Sequence, residues 1–150
     1  MIYNRTLEDV LVAIKIRDEK VKAFQELTES EISIIEKGTM TINTLNRIES
    51  KQDELKHLIN DMGYHNTPIV NKTWNVTDIF DYNEFKRIVS NDTTLREAFF
   101  VSSNTPKTPA VSYHYEDINA LEKILYDIDV MINDVKSHYI ECGQIECGEE

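Results

Sequence analysis

The chain has 150 residues, of which 41% are hydrophobic, and its 27 acidic and 16 basic side chains give a net charge of −11. This size and composition suit one folded unit with a hydrophobic core and exclude a solvated disordered tail. The negative charge argues against nucleic acid as a partner, and no apolar stretch approaches the roughly 18 residues that a membrane span needs.

Two helices are predicted at the N-terminal end of the chain. Thr6 precedes apolar residues that recur at steps of three, four and seven as far as Phe24, which is typical of an amphipathic helix. A second helix is predicted from Thr28, whose hydroxyl can cap the amide of Glu31 while the Glu31 carboxylate reaches back. Gly38 is expected to end this helix in the left-handed conformation that favours glycine.

A third helix is predicted over residues 41–63, and an ordered loop of unusual length follows it. Segment 64–80 is rich in Asn and β-branched residues, which favours a loop that contains at most a short strand. Long loops in compact proteins are commonly functional. Tyr64 and Trp74 are therefore candidates for contacts to a partner.

A fourth helix is predicted from a cap at Asp81 to about Phe100, and Pro106 and Pro109 mark the linker after it. In the fifth helix the apolar residues alternate steps of three and four over three heptads. This pattern indicates an assembly seam, and either the same chain or a second chain can cover it. The seam consists of Ile118, Leu121, Leu125, Ile128, Ile132, Val135 and Tyr139.

The last three predicted helices carry one repeated pattern. A shift of 40 residues aligns the third helix with the fourth, and a further shift of 33 aligns the fourth with the fifth. Apolar spacing alone is common to amphipathic helices, but Asn46 and Glu49 also recur as Asn119 and Glu122. The aligned apolar residues are Leu45, Ile48, Leu55 and Ile59, then Phe85, Ile88, Leu95 and Phe99, then Ile118, Leu121, Ile128 and Ile132.

One position of the repeat differs in polarity between the copies. Gln52 and Asp92 stand where the fifth helix has Leu125. A single polar residue in a seam can fix the register of the helices, and the same residue can instead face water. The sequence is compatible with both interpretations.

The first copy of the repeated motif resembles a helix-entry motif of tail fibre and baseplate proteins from phages and prophages of Gram-positive bacteria. In that family a Trp-containing lead-in precedes Leu-Asn-x-Ile-Glu. The second copy keeps a lead-in Trp but loses the Asn and the Glu, and the third copy lacks the Trp. The motif residues are Leu45, Asn46, Arg47, Ile48 and Glu49 in the first copy and Phe85, Arg87 and Ile88 in the second.

The resemblance implies a virion protein, made in the host cytoplasm and located in the tail, and it transfers no catalytic residue. We therefore predict a structural subunit that forms homo-oligomers and contacts other tail or baseplate proteins through amphipathic helices. The alternative is a module that binds a cell-surface glycan or a host protein through the loop around Trp74. Residues 114–150 hold ten carboxylates and two lysines, which is typical of a solvated face and also fits a basic partner.

No motif indicates catalysis, a nucleotide or a metal ion, so we expect neither an enzyme nor a cofactor. The chain has four glycines, and none lies in a phosphate-binding loop. Its four histidines are scattered along the sequence. Cys142 and Cys147 do not have a usual zinc spacing, and they can remain free thiols, form a small disulfide or bind a metal ion.

The predicted fold is all-α, either a helical bundle or coiled-coil arms, with five helices and ordered loops. Residues 1–63 form an N-terminal helical segment, and residues 64–113 form a loop and helix segment with Pro-rich linkers. Residues 114–150 form a long heptad helix with an acidic tail that contains the cysteines. We expect the three segments to build one structural unit.

Overall fold

The computed structural model describes residues 1–64, 68–111 and 114–142, with side chains in the last range as far as residue 138. Within these ranges it contains α-helices and no strand, which confirms the all-α prediction. The described residues of the long loop do not form the short strand that was considered for it. The helices are α1 Leu7–Ile16, α2 Glu29–Gly38, α3 Ile42–Asp61, α4 Tyr82–Ala98 and α5 Tyr115–Cys142, and a π-helical turn, Arg17–Val21, extends α1.

The first four helices begin where the sequence predicts, because polar side chains cap their first turns. Thr6 and Asp9 form a reciprocal capping box at the start of α1. Thr28 and Glu31 form the same arrangement at the start of α2. The remaining caps are Thr41 on α3 and Asp81 on α4.

α3 and α5 lie side by side and run in the same direction. Arg47 of α3 forms an ion pair with Glu122 of α5. One turn later, Lys51 of α3 pairs with Asp129, which lies further along α5. A later residue of α3 thus contacts a later residue of α5, so the two helices are parallel.

α3 and α4 are parallel for the same reason. Glu49 contacts Arg87, and the next turn of α3 brings Gln52 into contact with Asp92. α4 also packs against α5, so each helix of this bundle contacts the other two. The chain must return along the bundle between successive helices, which explains the length of the two connections.

The core of the bundle is built from the repeat. The four aligned apolar positions of every copy are buried, and so is the position that holds Gln52, Asp92 or Leu125. The seam of α5 from Ile118 to Ile132 is therefore covered within the chain. Val135 packs partly buried against the same core, and the side chain of Tyr139 lies outside the described residues.

α1 and α2 form an antiparallel hairpin beside the bundle. An ion pair of 2.9 Å joins Lys37 to Asp9 at its base, and one of 2.6 Å joins Lys20 to Glu31 nearer its tip. The hairpin lies between an extended N-terminal segment and the start of α3. It is thus an insertion relative to the repeated helices.

Gly38 ends α2 as predicted, but the predicted reason is wrong. Its backbone is not left-handed, whereas Gly63 after α3 does adopt a φ of +82°. A Cβ on Gly38 would lie 2.2 Å from the carbonyl oxygen of Asp9 and 2.5 Å from the Cβ of Ala13. Glycine is required there because α1 and α2 touch at this point.

Candidate functional site

The Asn of the repeated motif holds an extended segment against its helix. Asn46 donates to the carbonyl oxygen of Trp74 at 3.1 Å and accepts from the Trp74 N–H at 2.7 Å. Asn119, its counterpart in α5, forms the same pair of bonds with Arg5, at 2.9 and 3.1 Å. Each side-chain amide forms hydrogen bonds with both the N–H and the carbonyl oxygen of one extended residue. This pair of bonds explains why Asn recurs at this position of the motif.

The Glu of the motif is a buried carboxylate that pairs with arginines from elsewhere in the chain. Glu49 accepts hydrogen bonds from the two terminal nitrogens of Arg87, at 2.8 and 2.5 Å. Glu122 accepts one from Arg5 at 2.5 Å and one from Arg47 at 2.9 Å. Hydrogen bonding to the carboxylate of Glu49 raises the pKa of Arg87.

The second copy of the motif, in α4, has the arginine of this ion pair but not the glutamate. Arg47 of α3 reaches the Glu of α5, and Arg87 of α4 reaches the Glu of α3. In the same cyclic order, the third pair would join Ala120 of α5 to Val89 of α4, and both residues are apolar. Neither an arginine nor a glutamate is left without its partner. The motif residues therefore serve the interior of the fold.

Trp74 does not have the predicted role at a partner-binding surface. Its side chain is 3% exposed, and its Nε1 donates a hydrogen bond of 2.7 Å to Glu49. Phe80 packs edge-on against the indole, with ring centroids 5.5 Å apart. Tyr64 is half-buried and packs edge-on against Phe99. A buried indole cannot stack on a glycan, so the structure removes the residue on which that alternative depends.

The α1–α2 hairpin, described over its whole length, contains no large apolar side chain that is buried. Ala13 is its one buried hydrophobic residue. Leu7 and Leu11, one turn apart on α1, are 57% and 58% exposed. Helices this short are held mainly by packing of their apolar faces, and a continuous exposed apolar surface is typical of an interaction site. The hairpin is therefore our candidate functional site.

Phe24 lies at the tip of the hairpin, beyond the end of the first helix that the sequence predicts to contain it. Its side chain is 97% exposed, and its φ of 54° places it in the left-handed region. A residue with a Cβ loses about 1 kcal/mol in this conformation relative to glycine. Neither burial nor backbone preference accounts for a phenyl ring at this position.

A cavity of about 580 Å³ opens at the base of the hairpin, where it meets the N-terminal end of the bundle. Leu7 and Val10 line it from α1, and Met40, Phe80 and Ile118 line it from the opposite side. Its volume lies in the range of small-molecule sites, roughly 300–1,000 Å³, and is ample for an aromatic side chain. We call it the basal cavity.

Charged side chains lie at both ends of the hairpin. The tip-side residues 15–22 include four basic and two acidic side chains. Around the basal cavity, the first turns of α1 and α5 contribute Glu8, Asp9, Glu116 and Asp117. Residues 23–31, on the other side of the tip, add Glu26, Glu29 and Glu31, so the tip as a whole holds four basic and five acidic side chains.

Two further observations concern sites that the hairpin does not include. The described residues hold no group of three or more His, Cys, Asp or Glu that could bind a metal ion, and none of their helices is long and apolar enough to cross a membrane. Cys147 and the side chain of Cys142 lie outside the described residues. The three states considered for them, which are free thiols, a small disulfide and a metal site, therefore remain open.

No protein-family model, curated protein or solved structure matches this chain. The support for the candidate site therefore comes from its geometry alone. Leu7 and Phe24 are not among the site residues that the sequence predicts. The sequence does show that α1 and α2 have no counterpart in the repeat. Their apolar faces therefore have no predicted packing partner in the bundle.

Proposed function

We propose that the chain is a structural subunit of a phage or phage-like tail or baseplate and that it joins neighbouring subunits through the α1–α2 hairpin. The observation that carries the proposal is the absence of any buried large apolar side chain in the fully described hairpin. The virion context rests on the resemblance of Leu45-Asn46-Arg47-Ile48-Glu49 to the helix-entry motif of tail proteins.

The difference between the bundle, which contains the core, and the exposed hairpin supports an assembly role. The bundle buries the seam from Ile118 to Ile132 and contains the hydrophobic core, so a single chain covers this part of the seam. Arg5, just before the hairpin, is anchored on α5 through Asn119 and Glu122. The bundle can therefore hold the apolar hairpin out towards a neighbouring subunit.

The test compares incorporation of two matched variants into tailed particles of the strain that encodes the protein. Leu11→Asp places a charge on the 58% exposed hairpin face, and Val76→Asp places one on the connection between α3 and α4, where Val76 is 91% exposed. We expect purified particles to contain the wild-type chain and Val76→Asp but not Leu11→Asp. Mass spectrometry of the particles measures this.

Two results would contradict the proposal. Wild-type chain that is present in the cell but missing from purified particles removes the virion role. Equal incorporation of Leu11→Asp and Val76→Asp removes the hairpin as the assembly surface. Circular dichroism of the purified variants establishes that both are folded.

A further inference from the structure

We propose that the basal cavity binds a small molecule that carries a carboxylate on an apolar chain or ring, and that Arg5 binds this carboxylate. The inference goes beyond the assembly role, because it assigns a ligand to the cavity and needs no neighbouring subunit. It rests on a buried guanidinium edge without a partner, an excess of positive charge beside it, and the apolar walls of the cavity.

Arg5 occupies the place in the α5 copy of the motif that Trp74 occupies in the α3 copy. The motif Asn binds the backbone of each residue, and each side chain donates to the motif Glu. The indole has a single N–H, which Glu49 accepts, whereas a guanidinium carries N–H groups on all three nitrogens. A guanidinium in this place therefore has donors that the motif Glu alone does not satisfy.

The unsatisfied donors lie on one edge of the Arg5 guanidinium. Nη1 donates to Asn119, to Glu122 and to the carbonyl oxygen of Ile2. Nε and Nη2 are buried and have no partner among the described residues, and the Arg5 side chain is 1% exposed. A buried donor without an acceptor is costly. These two nitrogens form the fork that binds a carboxylate through two parallel hydrogen bonds.

The ion cluster around Arg5 contains more positive than negative charge. Arg5 and Arg47 both pair with one carboxylate, that of Glu122. In the α3 copy the residue equivalent to Arg5 is the neutral Trp74, so the corresponding cluster has no such excess. Burying a charge is unfavourable unless an opposite charge pairs with it. A bound carboxylate would supply the second negative charge.

The basal cavity provides space for such a ligand beside Arg5. Arg5 lines the cavity together with the apolar side chains named above, which would cover an apolar chain or ring. The first turn of α5 also lines the cavity, and the N-terminal end of a helix favours a negative charge. Glu116 in that turn is exposed, so solvent screens its charge.

The first test titrates the full chain with octanoate and with phenylacetate, and calorimetry measures the affinities. Octanol and phenylethanol are the matched ligands, because they have the same apolar parts and no carboxylate. We expect at least one carboxylate to bind roughly tenfold or more tightly than its alcohol, owing to the two charge-assisted hydrogen bonds. Amide chemical shifts should change mainly in the residues that line the cavity.

The second test places the ligand in the cavity. Val10→Trp puts an indole into the space that Val10 lines, and Val12→Trp puts the same group on a part of α1 that is 40% exposed and does not line the cavity. We expect Val10→Trp to weaken carboxylate binding at least roughly tenfold and Val12→Trp to bind as wild type does. Circular dichroism establishes that both variants are folded.

Arg5→Lys tests the role of the guanidinium. Lysine keeps the positive charge for Glu122 but has no planar fork, so the preference for the carboxylate over its alcohol should fall at least roughly tenfold. The alcohol reports whether the cavity itself is intact in this variant. If Arg5→Lys does not fold, the comparison of the two ligands on the wild-type chain still decides whether the carboxylate is recognised.

Four outcomes would overturn the inference. Neither carboxylate binds at millimolar concentration, each binds no more tightly than its alcohol, Val10→Trp binds as wild type does, or folded Arg5→Lys keeps the full preference for the carboxylate. None of these outcomes affects the assembly role, which the incorporation of Leu11→Asp into particles decides separately.

Discussion

Gln52 donates a hydrogen bond of 2.7 Å to Asp92, which lies forty residues later at the same position of the repeated helix. Both side chains are fully buried, in the place where α5 has Leu125. Gln52 also donates to the carbonyl oxygen of Ile88 and accepts from Asn91, so its amide is held on both sides. The polar residues of the seam therefore face the core and tie α3 to α4 in register, rather than facing water.

Asp92→Asn is predicted to stabilise the protein at neutral pH. Burial raises the pKa of Asp92 well above its ordinary 3.8, and the nearby charge of Glu122 adds to this. The folded state keeps a proton that the unfolded chain releases, so the free energy of unfolding falls as the pH rises from about 3.8 through the raised pKa. The variant is therefore expected to have a higher free energy of unfolding than wild type at pH 7.

Urea unfolding between pH 4 and pH 8 checks this prediction. The stability difference between Asp92→Asn and wild type should shrink towards pH 4, because the unfolded chain begins to bind a proton at Asp92 as the pH approaches its ordinary pKa of 3.8. Asp61→Asn is the control, because Asp61 is exposed near the end of α3. Parallel pH profiles for wild type and Asp92→Asn would contradict the argument.

Glu49→Gln is predicted to lower the free energy of unfolding by about 3 kcal/mol, the lower end of the cost of breaking a buried ion pair. The carboxylate binds Arg87 twice and also accepts from the indole of Trp74, while Arg87 retains a second partner in Glu84. Glu54→Gln is the control, because Glu54 is 54% exposed and should change stability by less than about 0.5 kcal/mol. Equal unfolding midpoints would contradict the prediction.

Fluorescence of the single tryptophan should report a buried indole. Trp74 is 3% exposed, so its emission should be blue-shifted and only weakly quenched by acrylamide in the native protein. In denaturing urea, both the emission maximum and the quenching should move to the values of a solvated indole. Strong quenching of the native protein would show that Trp74 is accessible and would restore the surface role.

Gly38→Ala is predicted to open the hairpin without unfolding the bundle. The added methyl would meet the Asp9 carbonyl oxygen and the Ala13 Cβ at overlapping distances, and such overpacking costs roughly 1–3 kcal/mol. Hydrogen exchange should therefore accelerate in α1 and α2 while the amides of α3 to α5 keep their protection.

Gly63→Ala is the matched control for that measurement. Its φ of +82° makes any side chain strained, but no atom lies within 4 Å of the added Cβ. We expect a cost of about 1 kcal/mol, confined to the end of α3. Faster exchange in the hairpin of Gly63→Ala, or an unchanged hairpin in Gly38→Ala, would contradict the packing explanation.

The starts of the helices and the residues of the core could be predicted from the sequence. Thr6, Thr28, Thr41 and Asp81 each bond to a residue within one turn, so their capping role depends on local sequence alone. The aligned apolar positions became the core because helical periodicity places them on one face of each helix. The shift of 40 residues between the third and fourth helices also aligns the polar residues Gln52 and Asp92.

The contacts between distant segments were decided by the tertiary structure. Glu49 meets Arg87 and Trp74 because two connections return along a parallel bundle, and no local pattern encodes that route. Burial of Trp74 and exposure of Phe24 follow from the same packing, although both residues are aromatic and lie in connections between helices. Local hydrogen bonds need only neighbours in sequence, whereas burial needs the whole chain in place, so the sequence alone determined the helices and the tertiary structure decided which apolar surface remains for a partner.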